Sequence, residues 1–214
     1  MRVLVVAKAP VPGLAKTRLG ALVGDAAAAR LAAAALIDTL TIAAATVGPA
    51  HCHLALTGDL RRAVHGSRLR RLLSGWRVTA QRGASFAERL VNAHRDAGPG
   101  PVVQVGMDTP QLTPELLNAV GERLADHDTV LGPADDGGWW VLGRRDPELV
   151  AALGDVPMST PTTYDDTRAA LVAGGASVAS VRSLRDVDTA ADADAVAEQA
   201  PGTEFARTWA EVAR

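Results

Sequence analysis

Pro101-Val102-Val103-Gln104-Val105-Gly106-Met107-Asp108-Thr109-Pro110 decides how this chain folds. The apolar run from Pro101 to Met107 reads as a buried strand; it ends on an acid, and Thr113-Pro114-Glu115 then opens a helix. An acid just past the carboxyl end of a buried parallel strand lies where open α/β sheets keep their ligand chemistry. Asp108 is therefore a candidate metal ligand, although aspartate before Thr-Pro also serves as an ordinary turn former.

The same alternation extends in both directions. Upstream, Val3 to Ala7 is a β-branched strand that leaves through Ala9-Pro10-Val11-Pro12-Gly13 toward Lys16-Thr17-Arg18-Leu19. An Ala-rich helix is predicted from Gly24-Asp25 to Gly48-Pro49, a strand from His51 to Thr57, a helix from Gly58-Asp59 to about Leu73, a strand from Trp76 to Ala80 and a helix from Ser85 to Ala97. Downstream come a helix from Thr113 to Ala125, strands at Thr129 to Pro133 and Trp139 to Leu142, helical patterns at Pro147 to Leu153 and Tyr164 to Ala173, a strand at Ser177 to Val181, and helix from Ala190 onward. This order implies an α/β fold, a mostly parallel sheet with helices on both faces. Nothing resembling a linker divides the chain, so residues 1–214 are read as a single domain.

The formal net charge is −2 with acids and bases intermixed, which argues against a dedicated nucleic-acid surface. Arg61, Arg62, Arg68, Arg70 and Arg71 read as one solvated helix face. Cys52 is the only cysteine, which excludes a disulfide framework within the chain and fits a reducing compartment. His51 and His53 would share one face of a strand, but no further zinc ligand accompanies them. The first apolar run is too short for a signal peptide, and Arg30 and Asp38 interrupt the Ala-rich region, so no membrane span and a cytoplasmic location are expected.

Chemistry concentrates in four places. Lys8, Lys16 and Arg18 sit among Pro10, Pro12 and Gly13 where the chain leaves the first strand, a loop suited to a polyphosphate. Gly13-Leu14-Ala15-Lys16-Thr17 is not a P-loop, which needs glycines where this chain has Pro10 and Ala15. Asp186-Val187-Asp188-Thr189 follows the last strand and could bring Asp188 to the sheet edge that carries Asp108. Two hard oxygen ligands plus substrate phosphates suit Mg²⁺, while either Asp186 or Asp188 could instead cap the next helix. Finally, Asp135-Asp136-Gly137-Gly138-Trp139-Trp140 joins acids, bare backbone and aromatic surface, and reads either as a pocket wall or as a hairpin turn.

Lys8 to Leu19, Gly106-Met107-Asp108-Thr109-Pro110, Gly132-Pro133-Ala134-Asp135-Asp136-Gly137-Gly138-Trp139-Trp140 and Asp186-Val187-Asp188-Thr189 together resemble the DUF2064 family of the nucleotide-diphospho-sugar transferase superfamily, from about Arg2 to Ala195. More distantly, Lys16-Thr17-Arg18-Leu19 and Asp188-Thr189 are similar to segments of 2-phospholactate and molybdenum cofactor guanylyltransferases. The resemblance implies the GT-A fold, a three-layer α/β/α sandwich with a mostly parallel mixed sheet. It implies that Asp108 and Asp188 hold Mg²⁺ or Mn²⁺, that Lys16 and Arg18 meet phosphates, and that Gln81 and Gly83 lie near the nucleobase. Asp136, Gly137 and Gly138 would line the acceptor or sugar site. Pro157-Met158-Ser159-Thr160 departs from the pattern, since many relatives carry Trp before Ser-Thr.

The activity expected is Mg²⁺-dependent nucleotidyl transfer from an NTP to a phosphorylated small-molecule acceptor, with Lys16, Arg18 and Asp108 as catalytic residues and Lys8, Pro12, Gly13, Gln81, Gly83, Asp135, Asp136, Gly137 and Gly138 contacting substrates. Three cations in the first loop favour it, because departing pyrophosphate needs more neutralisation than the diphosphate of a sugar nucleotide. The alternatives are glycosyl transfer from an NDP-sugar and a nucleotide-binding domain without turnover. The expected partners are a nucleotide and a small acceptor, without nucleic acid or membrane, and a homodimer is compatible with the sequence.

Overall fold

Residues Val3 to Ala7 are buried one after another, and their side chains alternate between two apolar cores on opposite faces of a sheet: Val3, Val5 and Ala7 in one, Leu4 and Val6 in the other. A strand buried on both faces needs helices on both faces. The computed structural model describes residues 1–213. In chain order the elements are β1 (Arg2–Lys8), α1 (Thr17–Val23), α2 (Asp25–Val47), β2 (Cys52–Thr57), α3 (Gly66–Leu72), β3 (Arg77–Ala80), α4 (Phe86–Asp96), β4 (Val102–Val105), α5 (Pro114–Arg123), β5 (Thr129–Pro133), β6 (Trp139–Arg144), a 3₁₀ segment (Pro147–Asp155), α6 (Thr163–Ala173), β7 (Val178–Ser180), α7 (Ala190–Gln199) and α8 (Glu204–Val212).

The strands form one sheet in the order β3-β2-β1-β4-β6-β5-β7, and β6 alone runs antiparallel to its neighbours β4 and β5. The order reverses at β1, whose neighbours are β2 on one side and β4 on the other. Such a switch point opens a crevice beyond the carboxyl ends of the two strands. Leu36, Leu40, Leu117 and Val120 from α2 and α5 cover one face; Leu90, Val150, Leu153 and Leu171 from α4, the 3₁₀ segment and α6 cover the other. The result is the three-layer α/β/α sandwich with a mostly parallel mixed sheet.

α2 is long and apolar enough to cross a membrane, because neither Arg30 nor Asp38 interrupts it, and 67% of its most apolar window is buried inside the protein. Its alanines face both the sheet and an outer layer in which Leu31, Ala34 and Ala35 pack on Phe205 and Trp209 of α8. A helix apolar all round is a helix buried all round. Asp38 accepts the backbone N–H groups of Glu204 and Phe205 at 2.9 and 2.8 Å, capping α8 from outside its own segment.

Local chemistry shifts several expected boundaries. The helix predicted from Gly58 begins only at Gly66, after turns in which Val64 N–H is held by the Pro10 carbonyl. The C-terminal helix breaks into α7 and α8 around Pro201-Gly202. His51 lies in a 3₁₀ turn outside β2 with Nδ1 on the Val47 carbonyl, whereas His53 is buried against Thr79, so the two rings do not share a strand face.

One polar cluster lies deep in the α4 layer. Arg144, fully buried at the end of β6, donates to the carbonyls of Gly100 (2.7 Å), His94 (2.7 Å) and Gly98 (2.8 Å), and through Nε to His94 Nδ1 (3.3 Å). His94 Nε2 in turn meets Gln104 Oε1 at 3.0 Å. Burial first, then the neighbouring Arg144 charge, push the His94 ring down to about 3, so it is neutral.

Candidate active site

The carboxyl ends of β1, β4, β5 and β7 converge on one crevice, and each supplies a polar loop. After β4 the chain turns at Gly106, where a Cβ would come within 2.8 Å of Asp108 Oδ1; bare backbone lets that carboxylate fold back over the strand end. Thr113 then caps α5 by accepting the Leu116 N–H, with Pro114 in the first turn.

After β1, the loop ends on Lys16, which caps α1 in a left-handed conformation (φ 50°) and makes no side-chain bond to the helix. Its side chain reaches the far loops instead: Nζ donates to Asp108 Oδ2 at 2.9 Å and to Asp188 Oδ1 at 3.1 Å. Arg18 donates to the other oxygen of Asp188 at 3.1 Å. Burial works against the Lys16 ammonium, but Asp108 and Asp188 outweigh it and raise its pKa. Lys8, Lys16, Arg18, Asp108 and Asp188 line one depression, together with Ala15 and Met107.

Asp188 also belongs to a second group. Asp136, Asp186 and Asp188 each offer a carboxylate oxygen, all within 4.8 Å of one another. Asp186 is pushed up to about 6 by burial first, then by Asp136, Asp108 and Asp188. The α7 cap falls to Thr189, whose side chain accepts the Asp192 N–H while Asp192 accepts the Thr189 N–H, a reciprocal capping box. Asp186 and Asp188 are thereby both left to the crevice. An all-carboxylate donor set that already encloses one cation, the Lys16 ammonium, fits a hard divalent ion such as Mg²⁺ or Mn²⁺, with Asp188 common to both groups.

Two cavities flank these acids. The first, of about 250 Å³, lies beside β5 and β6 and is lined among others by Gln104, Asp136, Trp139, Met158 and Thr163. Asp136 accepts the Gly138 N–H at 2.7 Å, and Gly137 (φ 89°) packs so closely on Pro161 that a Cβ would lie 2.1 Å from its carbonyl oxygen. The turn that presents Asp136 therefore needs glycine at 137. The second cavity lies over β1 to β3 and is lined by Lys8, Thr57, Gln81, Arg89 and Met107, with Phe86, Gly106 and Asp108 shared with the first.

Some expected contact residues sit elsewhere. Asp135 turns away from the 250 Å³ cavity to bind Ser183 Oγ (2.8 Å) and Arg185 Nε (3.1 Å). Pro12 and Gly13 shape the first loop but do not line these cavities, and Gly83 (φ 139°) packs on Glu88 at the start of α4. Gln81 spends both amide hydrogens on the carbonyls of Ala7 and Ala55, at 2.9 and 3.0 Å, which leaves only its own carbonyl free toward the cavity. Conversely, Gln104, Phe86 and Arg89 line the cavities without having been singled out from sequence. The available signals were a glutamine in the middle of Val102-Val103-Gln104-Val105 and an exposed phenylalanine with Arg89 one turn later, its guanidinium 5.8 Å from the ring centroid.

The chain resembles known proteins along most of its length. A solved structure from Desulfovibrio desulfuricans G20, described provisionally as a nucleotide-diphospho-sugar transferase, is 27% identical; the match covers 98% of this chain and 94% of that one, with a TM-score of 0.79. A CMP:2-keto-3-deoxy-manno-octonic acid synthetase complexed with CTP shares the fold at 12% identity over 94% of this chain and 99% of that one (TM-score 0.57). So does Rv0371c of Mycobacterium tuberculosis H37Rv in complex with manganese, at 18% identity over 92% and 99% (TM-score 0.54). No curated protein matches the sequence. The family DUF2064, described as an uncharacterized protein conserved in bacteria, matches residues 39–160, more than half of the chain. The chain belongs to the DUF2064 family, and its fold is that of the nucleotide-diphospho-sugar transferases.

Proposed function

We propose that this protein is a nucleotidyltransferase that moves a nucleotidyl group from an NTP to a phosphorylated small-molecule acceptor. The observation that carries the reading is the Lys16 ammonium between Asp108 and Asp188 at the switch point, with Arg18 on the same acid. Asp108 and Asp188 would hold a divalent cation, Mg²⁺ or Mn²⁺, which would supply charge neutralisation at the triphosphate. Lys16 then turns from the carboxylates to phosphate oxygens, beside Arg18 and Lys8. An oxygen of the acceptor phosphate attacks the α-phosphorus; the new P–O bond forms as the bond to the β-phosphate bridging oxygen breaks, and pyrophosphate leaves with that electron pair. Lys16 and Arg18 neutralise the charge that builds on the leaving group, so catalysis is mainly positioning and electrostatics. The base lies over β1 to β3 near the free Gln81 carbonyl, and the acceptor in the 250 Å³ cavity near Asp136 and Gly138. The buried single thiol of Cys52 fits a reducing compartment such as the cytoplasm.

A second reading, glycosyl transfer from an NDP-sugar, is favoured by the aromatic and acidic lining of the same cavity, Trp139 and Asp136, and by the provisional description of the 27%-identical structure. Incubating the pure protein with Mg²⁺, each NTP and a pool of phosphorylated metabolites releases pyrophosphate under the first reading. Release of UDP or GDP from a sugar nucleotide, with no pyrophosphate, supports the second. Nucleotide binding with neither product marks a binding domain without turnover.

A further inference from the structure

The floor of the 250 Å³ cavity carries a polar group that the transfer reaction leaves unused. In β4, Val103 and Val105 face the α2 core, while Val102 and Gln104 face the α4 layer. Gln104 is 2% exposed and lines the cavity together with Val6, Trp139 and Met158. Its Oε1 is bound to His94 Nε2. Its Nε2 has no hydrogen-bond partner among the described residues, and it is not one of the fully enclosed unpaired atoms. What remains open to the cavity is one end of a buried amide.

Which end that is follows from chemistry. A guanidinium has donors and no acceptor, so Arg144 Nε at 3.3 Å from His94 Nδ1 makes that nitrogen the acceptor. A neutral imidazole accepting at Nδ1 carries its proton on Nε2, and Nε2–H must then meet an oxygen. Gln104 Oε1 is that oxygen. The orientation of a glutamine amide is ordinarily ambiguous, but here two consecutive donor–acceptor steps set it. Arg144 is held in place, because three of its four remaining N–H groups are bound to the carbonyls of His94, Gly98 and Gly100.

We propose that Gln104 is a specificity-determining residue whose NH₂, held toward the cavity by the Arg144–His94 chain, donates to a neutral hydrogen-bond-accepting oxygen of the group bound there. The proposal rests on reading this cavity as the acceptor or sugar site. The bound oxygen is neutral because Asp136 and Asp186, neither of which pairs with Lys16 or Arg18, line the same cavity, and an anion at the amide would face them. The relay residues His94 and Arg144 act only by positioning. An acidic or oxyanionic group of the substrate belongs with Lys16 and Arg18 on the other side of the carboxylates.

The test uses the ¹⁵N-labelled full chain and dimethyl sulfoxide, a probe whose oxygen accepts and which has no donor. The Gln104 NH₂ signals are identified by their loss in Q104E and Q104M. Long-range imidazole spectra should place the His94 proton on Nε2, and titration with the probe should move the Gln104 NH₂ protons saturably, together with the Trp139 indole and Met158 methyl signals. Q104M should bind the probe about fivefold more weakly. Q104E keeps an acceptor for His94 but turns an oxygen into the cavity, so it should weaken the probe at least as much while leaving the His94 tautomer unchanged. A His94 proton on Nδ1, unmoved Gln104 protons while Trp139 and Met158 shift, wild-type affinity in Q104E, or no saturable shift in the cavity would each overturn the proposal. Pyrophosphate release is measured on the same preparation: its absence counts against the reaction, whereas the tautomer and probe results count for or against the amide.

Discussion

Two cations, Lys16 half-buried and Arg144 fully buried, stand at opposite ends of one sheet, and their surroundings differ in kind. Lys16, at the carboxyl end of β1, is held by two side-chain carboxylates that are themselves 36% and 31% exposed. Arg144, at the other end, has no hydrogen bond to an acid among the described residues; it is held by three main-chain carbonyls and a neutral histidine. The acids raise the Lys16 pKa, whereas burial first and nearby Arg2 second bring Arg144 down to about 10. In the proposed reaction the carboxylates that Lys16 reaches across 92 and 172 residues of sequence are exchanged for phosphate oxygens. Main-chain carbonyls cannot leave. Under the proposed function one end of the sheet trades partners and the other keeps them, which is the usual division between a site and its scaffold.

Mutations should separate the two ends cleanly. At the exchanging end, Asp108→Ala should lower turnover by about a thousandfold, roughly 4 kcal/mol of barrier, while leaving the fold intact. Steady-state rates beside a thermal melt check this, and unchanged turnover removes Asp108 from the metal site. At the fixed end, Arg144→Met strands three main-chain carbonyls, one buried and two half-buried, and should cost on the order of 3 kcal/mol, lowering the melting temperature by about 10 °C. A melt within a degree or two of wild type would show that the scaffold end is not what holds α4 and β6 together.

Acid should attack the fixed end first. His94 has a folded-state pKa of about 3, below its value in the unfolded chain, so the unfolded state takes up more protons as pH falls through 6.5. Its contribution is complete above that value and declines continuously toward pH 3. The loss amounts to about 2 kcal/mol between pH 7 and pH 5. Urea denaturation at the two pH values measures it, and replacing His94 with Gln should flatten the slope. The smallest effect is expected at Lys16: Lys16→Ala should weaken nucleotide binding by about tenfold, since neighbouring Arg18 and Lys8 still meet the phosphates. Equal dissociation constants would take Lys16 out of the phosphate site.

The sheet was legible because its strands are written as apolar, β-branched runs, and all seven appear near the expected positions. What the pattern could not show was short or unpatterned. α1 has seven residues and begins at a lysine whose side chain is committed to distant acids. α3 starts late because the residues before it bond to the β1 loop, a tertiary event. At the site, acids at strand ends could be recognised from position alone. Their division of labour could not: Asp135 and Asp136 are adjacent, yet one pairs with Arg185 and the other lines the cavity. Whether Asp186 or Asp188 caps α7 was equally open until Thr189 and Asp192 took that role from both. The outward end of the Gln104 amide depends on Arg144, forty residues away in the chain and beyond any periodicity.

The exchanging end is tested most directly by Mn²⁺ electron paramagnetic resonance in the presence of a non-hydrolysable NTP analogue. Wild-type protein should bind the ion with the nucleotide, and Asp188→Asn, which removes the carboxylate shared by both acidic groups, should abolish that binding while the protein stays folded. Mn²⁺ binding of unchanged affinity in Asp188→Asn would contradict the account.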